Sequence, residues 1–316
     1  MEKLESPKAG FVRALCVLLM AFFTLTACGP PGPNGKTGDG FSGTITIDGS
    51  STVYPITEAV AEEFMLIHPN VNIIVGVSGT GGGFKRFLRG EIDINNASRP
   101  IKDSERATAK ENGIEYIEIP VAYDGITVAV NKENNWVESL TLEELKKIWS
   151  PDSKVAKWSD LKPGWPDEKI NLYGPGTDSG TFEYFTEVIV GEAGKSRSDY
   201  TSSEDDNMLI EGVSGDRYGL GYFGFAYYAE NSDKVRAVAI DGGEGPVVPT
   251  EETIKSGKYK PLARPLYIYV NKKSLERPEV KEFLKFYMEN ARKLVKEIGY
   301  VPMPERVYQE NLSKIK

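Results

Sequence analysis

The chain has 316 residues, a hydrophobic fraction of 40% and a net charge of −8, from 46 acidic and 38 basic side chains. That is enough apolar material for one large or two ordinary domains, and the acidic balance without a basic run excludes a surface built for nucleic acid. With one histidine and two cysteines, there is little from which to build a zinc site, a disulfide framework or a thiolate nucleophile.

The N-terminus reads as an export signal over residues 1–27. Lys3, Lys8 and Arg13 precede an apolar run from Ala14 to Phe23, too short to span a bilayer as a mature helix. Small residues then lead to Cys28 in "LTAC", which resembles a bacterial lipobox with Cys28 as the lipidated first residue. Residues 28–42 form the anchor and a flexible tether, because "GPPGPNGKTGDG" has no side chain large enough to pack. Removal of the signal takes three basic and two acidic groups and leaves the mature chain at −9.

From residue 43 onward, strand and helix patterns alternate. "GTITIDG" is a short strand, and Ile56, Ala59, Val60, Phe64 and Ile67 then share one helical face. "VNIIVGVSG" reads as a buried strand, Phe84, Phe87 and Leu88 mark the next helix, and "EIDINNASRP" the next strand and loop. This rhythm predicts an α/β fold with a largely parallel sheet and a ligand site at the carboxyl ends of its strands. "YDGITVAVNKE" (123–133) and "RPLYIYVNKKS" (264–274) share an ending. Either the chain crosses twice between two lobes there, or these are two unrelated strands. On the first reading, residues 43–130 with 264–316 form lobe 1 and residues 131–263 form lobe 2, with helical patterning from Val280 to Lys296 returning to lobe 1.

Three loops place small hydroxyl residues and glycine just before helices. They are "GSSTVYPITEAV" (49–60), "SGTGGGFKRF" (78–87) and "TDSGTFEYF" (177–185). Each can be a plain helix cap. Together they also suit an oxyanion, since converging helix N-termini offer unpaired N–H donors and partial positive charge. The second loop has Phe84 where a P-loop has lysine, and it lacks the dinucleotide fingerprint. Arg99, at a strand's carboxyl end in "NNASRPIKDSE", either grips an oxyanion bidentately or pairs with an acid.

Other stretches carry weaker readings. His68 precedes Pro69 at a helix end and reads as a capping or surface residue, not a base, so a serine hydrolase lacks its partner. "SEDDN" (203–207) is either an acid cluster at a helix start or an all-oxygen cation site. "YGLGYFGFAYY" (218–228) suits a packed core or a partner-facing surface as well as sugar stacking.

The motifs "GSSTVYPI", "SGTGGGFKRFLRGEIDINNASRPI", "DSGTFEYF" and "GVSGDRYGLGYFGFAYY" together resemble the Pst-type phosphate-binding lipoproteins, over residues 43 to 300. The resemblance implies a two-lobed periplasmic-binding-protein fold of type II with two crossover strands and a ligand cleft between the lobes. It implies a monomeric, non-enzymatic receptor without cofactor or metal, anchored by lipid, that delivers inorganic phosphate to the permease and ATPase of an ABC importer. The alternatives are a receptor for a sulfate-like oxyanion or a secreted phosphatase. Carried over by motif, the phosphate-binding positions are Ser51, Thr52, Thr80, Ser179, Gly180 and Thr181. Two departures stand out: Arg99 takes the place where many members have an aspartate, and Pro175 the place where many have an arginine. The carboxylate that accepts the phosphate proton is then Asp124 or Asp178, with Asp124 preferred, and Arg99 supplies the charge.

Overall fold

The computed structural model describes residues 40–177 and 179–315. The signal segment, Cys28, the tether as far as residue 39, and Asp178 lie outside the described residues. The first part of the chain runs β1 (Gly43–Gly49), α1 (Tyr54–Ile67), β2 (Val71–Val75), α2 (Gly79–Phe87), β3 (Ile94–Ala97) and α3 (Asp103–Glu111). A long strand, β4 (Tyr116–Asn131), leads into the middle part. That part carries β5 (Ser139–Thr141), α4 (Leu142–Trp149), β6 (Asn171–Pro175), α5 (Gly180–Phe185), β7 (Thr201–Ser203), α6 (Asp206–Gly215), β8 (Gly219–Gly224) and α7 (Phe225–Glu230). Three short strands and a helix follow: β9 (Val235–Ala237), β10 (Ala239–Asp241), β11 (Pro246–Val247) and α8 (Glu251–Lys255). The chain returns through β12 (Ala263–Asn271), α9 (Pro278–Glu297), β13 (Val301–Pro302) and α10 (Glu305–Ile315). Among the described residues no helix is long and apolar enough to cross a membrane.

One sheet path runs β2-β1-β3-β12-β4-β8-β6-β7. The expected parallel pairing holds only in its wings: β1 with β2 and β3, and β6 with β7 and β8, are parallel. In the middle, β12 pairs antiparallel with both β3 and β4, and β4 antiparallel with β8. The difference has a topological cause. Strands β4 and β12 carry the chain outward and back, so they must run in opposite directions, and the largely parallel sheet becomes a mixed one.

Hydrophobic packing changes sides along those two strands. Ile119, Val121 and Ala122 of β4 join Ile45, Phe64, Phe283 and Tyr287 in one core, with Leu266 and Ile268 of β12. Ile126, Val128 and Val130 join Trp149, Phe185 and Tyr222 in another, with Leu262. The seam between the cores therefore falls at residues 123–125 and 263–265, while the expected boundary at residue 130 lies further along the same strand. The shared Val-Asn-Lys endings do not pair with each other: Asn271 is opposite Tyr116, and Arg264 is opposite Asp124.

The aromatic run at 218–228 is largely core, with Tyr222 and Phe223 fully buried. Phe185 stacks on Tyr222 at 3.7 Å between ring centroids. His68 is buried at the C-terminus of α1, where its N–H donates to the Phe64 carbonyl and its ring packs on Phe64 and Phe41. Asp205 caps α6 by accepting from the Asn207 N–H at 2.9 Å, which is the dipole-favoured arrangement of the acid cluster.

The glycines of α2 are not all there for a ligand. A Cβ on Gly83 would lie 2.0 Å from Asn95 Oδ1 and 2.6 Å from the Gly49 Cα, so this helix packs backbone-close on the ends of β1 and β3. A Cβ on Gly81 would meet nothing within 4 Å. Gly83→Ala is expected to destabilise the fold by about 1–3 kcal/mol through overpacking, whereas Gly81→Ala gains helix propensity and stays within about 1 kcal/mol of the parent. Urea denaturation of the two variants distinguishes them, and equal effects would contradict this packing account.

Candidate functional site

The three glycine- and hydroxyl-rich loops come together, but they behave differently. In the first, between β1 and α1, Val53 holds the N-cap position and no side chain caps the helix. The hydroxyls reach outward instead. Ser51 Oγ donates to Glu183 Oε2 at 2.7 Å, and buried Thr52 Oγ1 accepts from Arg264 Nη2 at 3.1 Å. In the second, Thr80 Oγ1 lies 3.0 Å from Ser98 Oγ and accepts from the Ser98 N–H at 3.2 Å, which ties α2 to the loop after β3. In the third, Ser179 is an ordinary cap whose Oγ accepts from the N–H groups of Thr181 and Phe182.

The first and third loops touch. A Cβ added to Gly180 would lie 3.0 Å from Thr52 Oγ1 and 3.2 Å from Thr52 Cα, so glycine is what allows this approach. A cavity lies on each side of the contact. One, about 560 Å³, is lined by Ser51, Thr52, Thr80, Ser98, Arg99 and Arg264, with Glu183 and Glu187. The other, about 490 Å³, is lined by Ser51, Asp124, Ser179, Gly180 and Thr181, with Glu204, Asp206 and Tyr300. The expected residues thus divide into two groups, and Ser51 borders both. His68 lines neither.

Arg264, which sequence reasoning did not single out, joins the groups. It stands directly opposite Asp124 on the paired crossover strands, with Nε 3.4 Å from Asp124 Oδ2. Its guanidinium also lies 3.5 Å over the Tyr184 ring, while the Tyr184 hydroxyl donates to the Pro261 carbonyl. Cation–π stacking of this kind holds an arginine plane in one orientation. Arg99 is differently placed. Glu105 grips its guanidinium bidentately, both contacts at 2.8 Å, over the face of Phe84. Its charge is therefore already matched by a carboxylate of its own.

Asp124 is 1% exposed. Burial pushes its carboxyl above the ordinary aspartate range, and Arg264 opposes that shift only in part. Asp206, read in the sequence as part of the acid cluster at 203–207 and not as a phosphate contact, accepts from the Gly224 N–H at 3.0 Å. Burial, then the nearby Asp205, Glu204 and Asp124 charges, raise its carboxyl to about 6 despite that hydrogen bond. Because its pKa is raised on folding, Asp206 stabilises the protein at low pH, and that contribution is lost as pH rises from the ordinary aspartate value through about 6. The melting temperature of Asp206→Asn relative to the parent is expected to climb across this window and then level off. A difference that does not change with pH would contradict the assignment.

The chain has clear relatives. A family model described as a PBP superfamily domain matches residues 34–291. Protein SphX of Synechocystis is 50% identical over 277 residues, 87% of this chain and 82% of that protein. The phosphate-binding protein PstS of Staphylococcus saprophyticus is 40% identical over 297 residues, 93% of this chain and 91% of that protein. The crystal structure of a possible phosphate binding protein from Planctomyces limnophilus is 53% identical, with a TM-score of 0.84, over 87% of this chain and 99% of that one. With the mixed sheet, the paired crossover strands and the loops converging at their seam, these similarities show that the chain belongs to the periplasmic-binding-protein superfamily and, within it, to the Pst-type phosphate-binding proteins.

Proposed function

We propose that this protein is an extracytoplasmic receptor that captures inorganic phosphate at the seam between its two cores and delivers it to the permease and ATPase of an ABC importer. The observation that carries this reading is the Arg264–Asp124 pair, a half-buried guanidinium that lines the cavity and a buried carboxylate directly opposite on the two crossover strands, with the guanidinium in reach of the Thr52 hydroxyl. Phosphate near neutral pH has oxygens to accept hydrogen bonds and one proton to donate. Arg264, Thr52 and Thr80 supply donors, as do the Gly180 N–H and the Thr181 hydroxyl, and Ser51 does so by turning its hydroxyl from Glu183 to the ion. Asp124 supplies the acceptor. Arg264 takes the central charge, and Arg99, held by Glu105, stays at the rim of the cavity.

The acceptor is what separates phosphate from sulfate. An ionised Asp124 faces a proton on phosphate but a lone pair on sulfate, and an unpaired buried acceptor is costly. Closure of the lobes about residues 123–125 and 263–265 then removes the ion from water and gives the permease a shape to recognise. Lipidation at Cys28 would keep a monomeric receptor at the membrane beside its importer.

Calorimetric titration with phosphate and with sulfate tests the reading. Tight one-to-one binding of phosphate and none of sulfate is expected at neutral pH. Arg264→Ala removes a charge-assisted bond worth about 1.5–3 kcal/mol, so phosphate binding should weaken by about ten- to hundredfold. Asp124→Asn should admit sulfate. Since burial raises the Asp124 pKa, the wild type should also begin to bind sulfate as pH falls and this carboxyl takes up its proton. Equal binding of both ions at neutral pH would favour a general oxyanion receptor, and binding of neither would end the proposal.

A further inference from the structure

The two cavities that flank the Thr52–Gly180 contact differ in charge. The lining of one includes Arg99, Lys102 and Arg264 against Glu183 and Glu187. The lining of the other includes Asp124, Glu204 and Asp206 and has no cation among the described residues. The first cavity continues into a surface groove of about 500 Å³ that shares Gly81, Arg99 and Lys102 with it. Lys85 and Arg89 line that groove as well, and Glu105 is its one carboxylate. Arg89 is matched by Glu91 and Arg99 by Glu105. Lys85 and Lys102 are exposed, and neither forms a salt bridge among the described residues.

From this asymmetry, and resting on the phosphate reading above, we infer that the anion enters from one side only, over a cationic apron formed by Lys85 and Lys102, while the acidic mouth beside Glu204 and Asp206 repels it. A protein with a net charge of −8 opposes the approach of a dianion at long range. Within about a Debye length, roughly 10 Å at 0.1 M salt, local charge overrides that field. Two exposed ammonium groups on flexible stems can concentrate phosphate at the groove without holding it. Arg264 and Thr52 lie further along the same cavity to receive it. The role assigned to Lys85 and Lys102 is therefore to set the rate of capture and not the strength of retention.

Stopped-flow measurement of phosphate association and dissociation tests this. The double variant Lys85→Glu, Lys102→Glu should lower the association rate constant about three- to tenfold at low ionic strength. The difference should fade near 0.5 M salt, where the Debye length shrinks to roughly 4 Å. Dissociation should stay nearly constant. The matched control is Lys146→Glu, Lys147→Glu on the exposed face of α4, which makes the same change in net charge away from both cavities. It should slow capture far less. Equal slowing by the control would reduce the effect to net charge and overturn the inference. So would a loss of affinity carried by dissociation. Faster capture on Glu204→Gln, with no effect at Lys85 and Lys102, would put the entrance on the acidic side. If the wild type failed to bind phosphate at all, the receptor reading itself would fall, a result separate from any of these.

Discussion

Arg264 and Asp124 face each other across the two strands that join the halves of the molecule, and the rest of the architecture is arranged around that pair. Burying a charge has a desolvation penalty of several kcal/mol, borne in full by Asp124 and in part by half-buried Arg264, which mutual attraction offsets only with good geometry and further hydrogen bonds. Here the direct contact is a single one at 3.4 Å, and the guanidinium depends also on the Thr52 hydroxyl and the face of Tyr184. Asp124 has Arg264 as its one hydrogen-bonding partner among the described residues. Such a pair is poorly justified as a source of stability. It makes sense as a site whose carboxylate is desolvated in advance and still short of partners, beside a guanidinium that lines the cavity.

In the proposed site, that incompleteness is the source of the chemistry. An oxyanion arriving at Arg264 places a second negative group beside Asp124, and two anions sharing one guanidinium repel each other unless a proton lies between them. Phosphate brings that proton and sulfate does not. The raised pKa of Asp124 belongs to the same balance, since a carboxyl that is reluctant to ionise can also take a proton from solvent. On the proposed reading, selectivity and its pH dependence follow from one constraint, the burial of a carboxylate at the seam.

Much of this was legible in the residues. The alternation of strands and helices, the crossover reading of the two similar stretches, and the three helix-start loops all arise from local patterning, which sequence reports well. Asp124 was reached through the family resemblance, as a carboxylate to replace the aspartate whose place Arg99 takes. Arg264 was not, though it opens the quoted stretch "RPLYIYVNKKS", because its partner lies 140 residues away and only strand pairing brings the two together. The partner of Arg99 was within the quoted stretch "NNASRPIKDSE", six residues on, but the turn through Pro100 that lets Glu105 reach back is a matter of backbone direction. Glycine was ambiguous for a similar reason. Gly83 serves helix packing and Gly180 a loop contact, and the letters alone do not separate them.

The measurement that tests the account most directly is a crystal structure of the protein with phosphate bound. The account predicts one tetrahedral ion at the seam, with oxygens within hydrogen-bond distance of Arg264 and Thr52 and its protonated oxygen directed at Asp124. A phosphate held instead by Arg99, with Glu105 displaced and the Arg264–Asp124 contact intact, would contradict it.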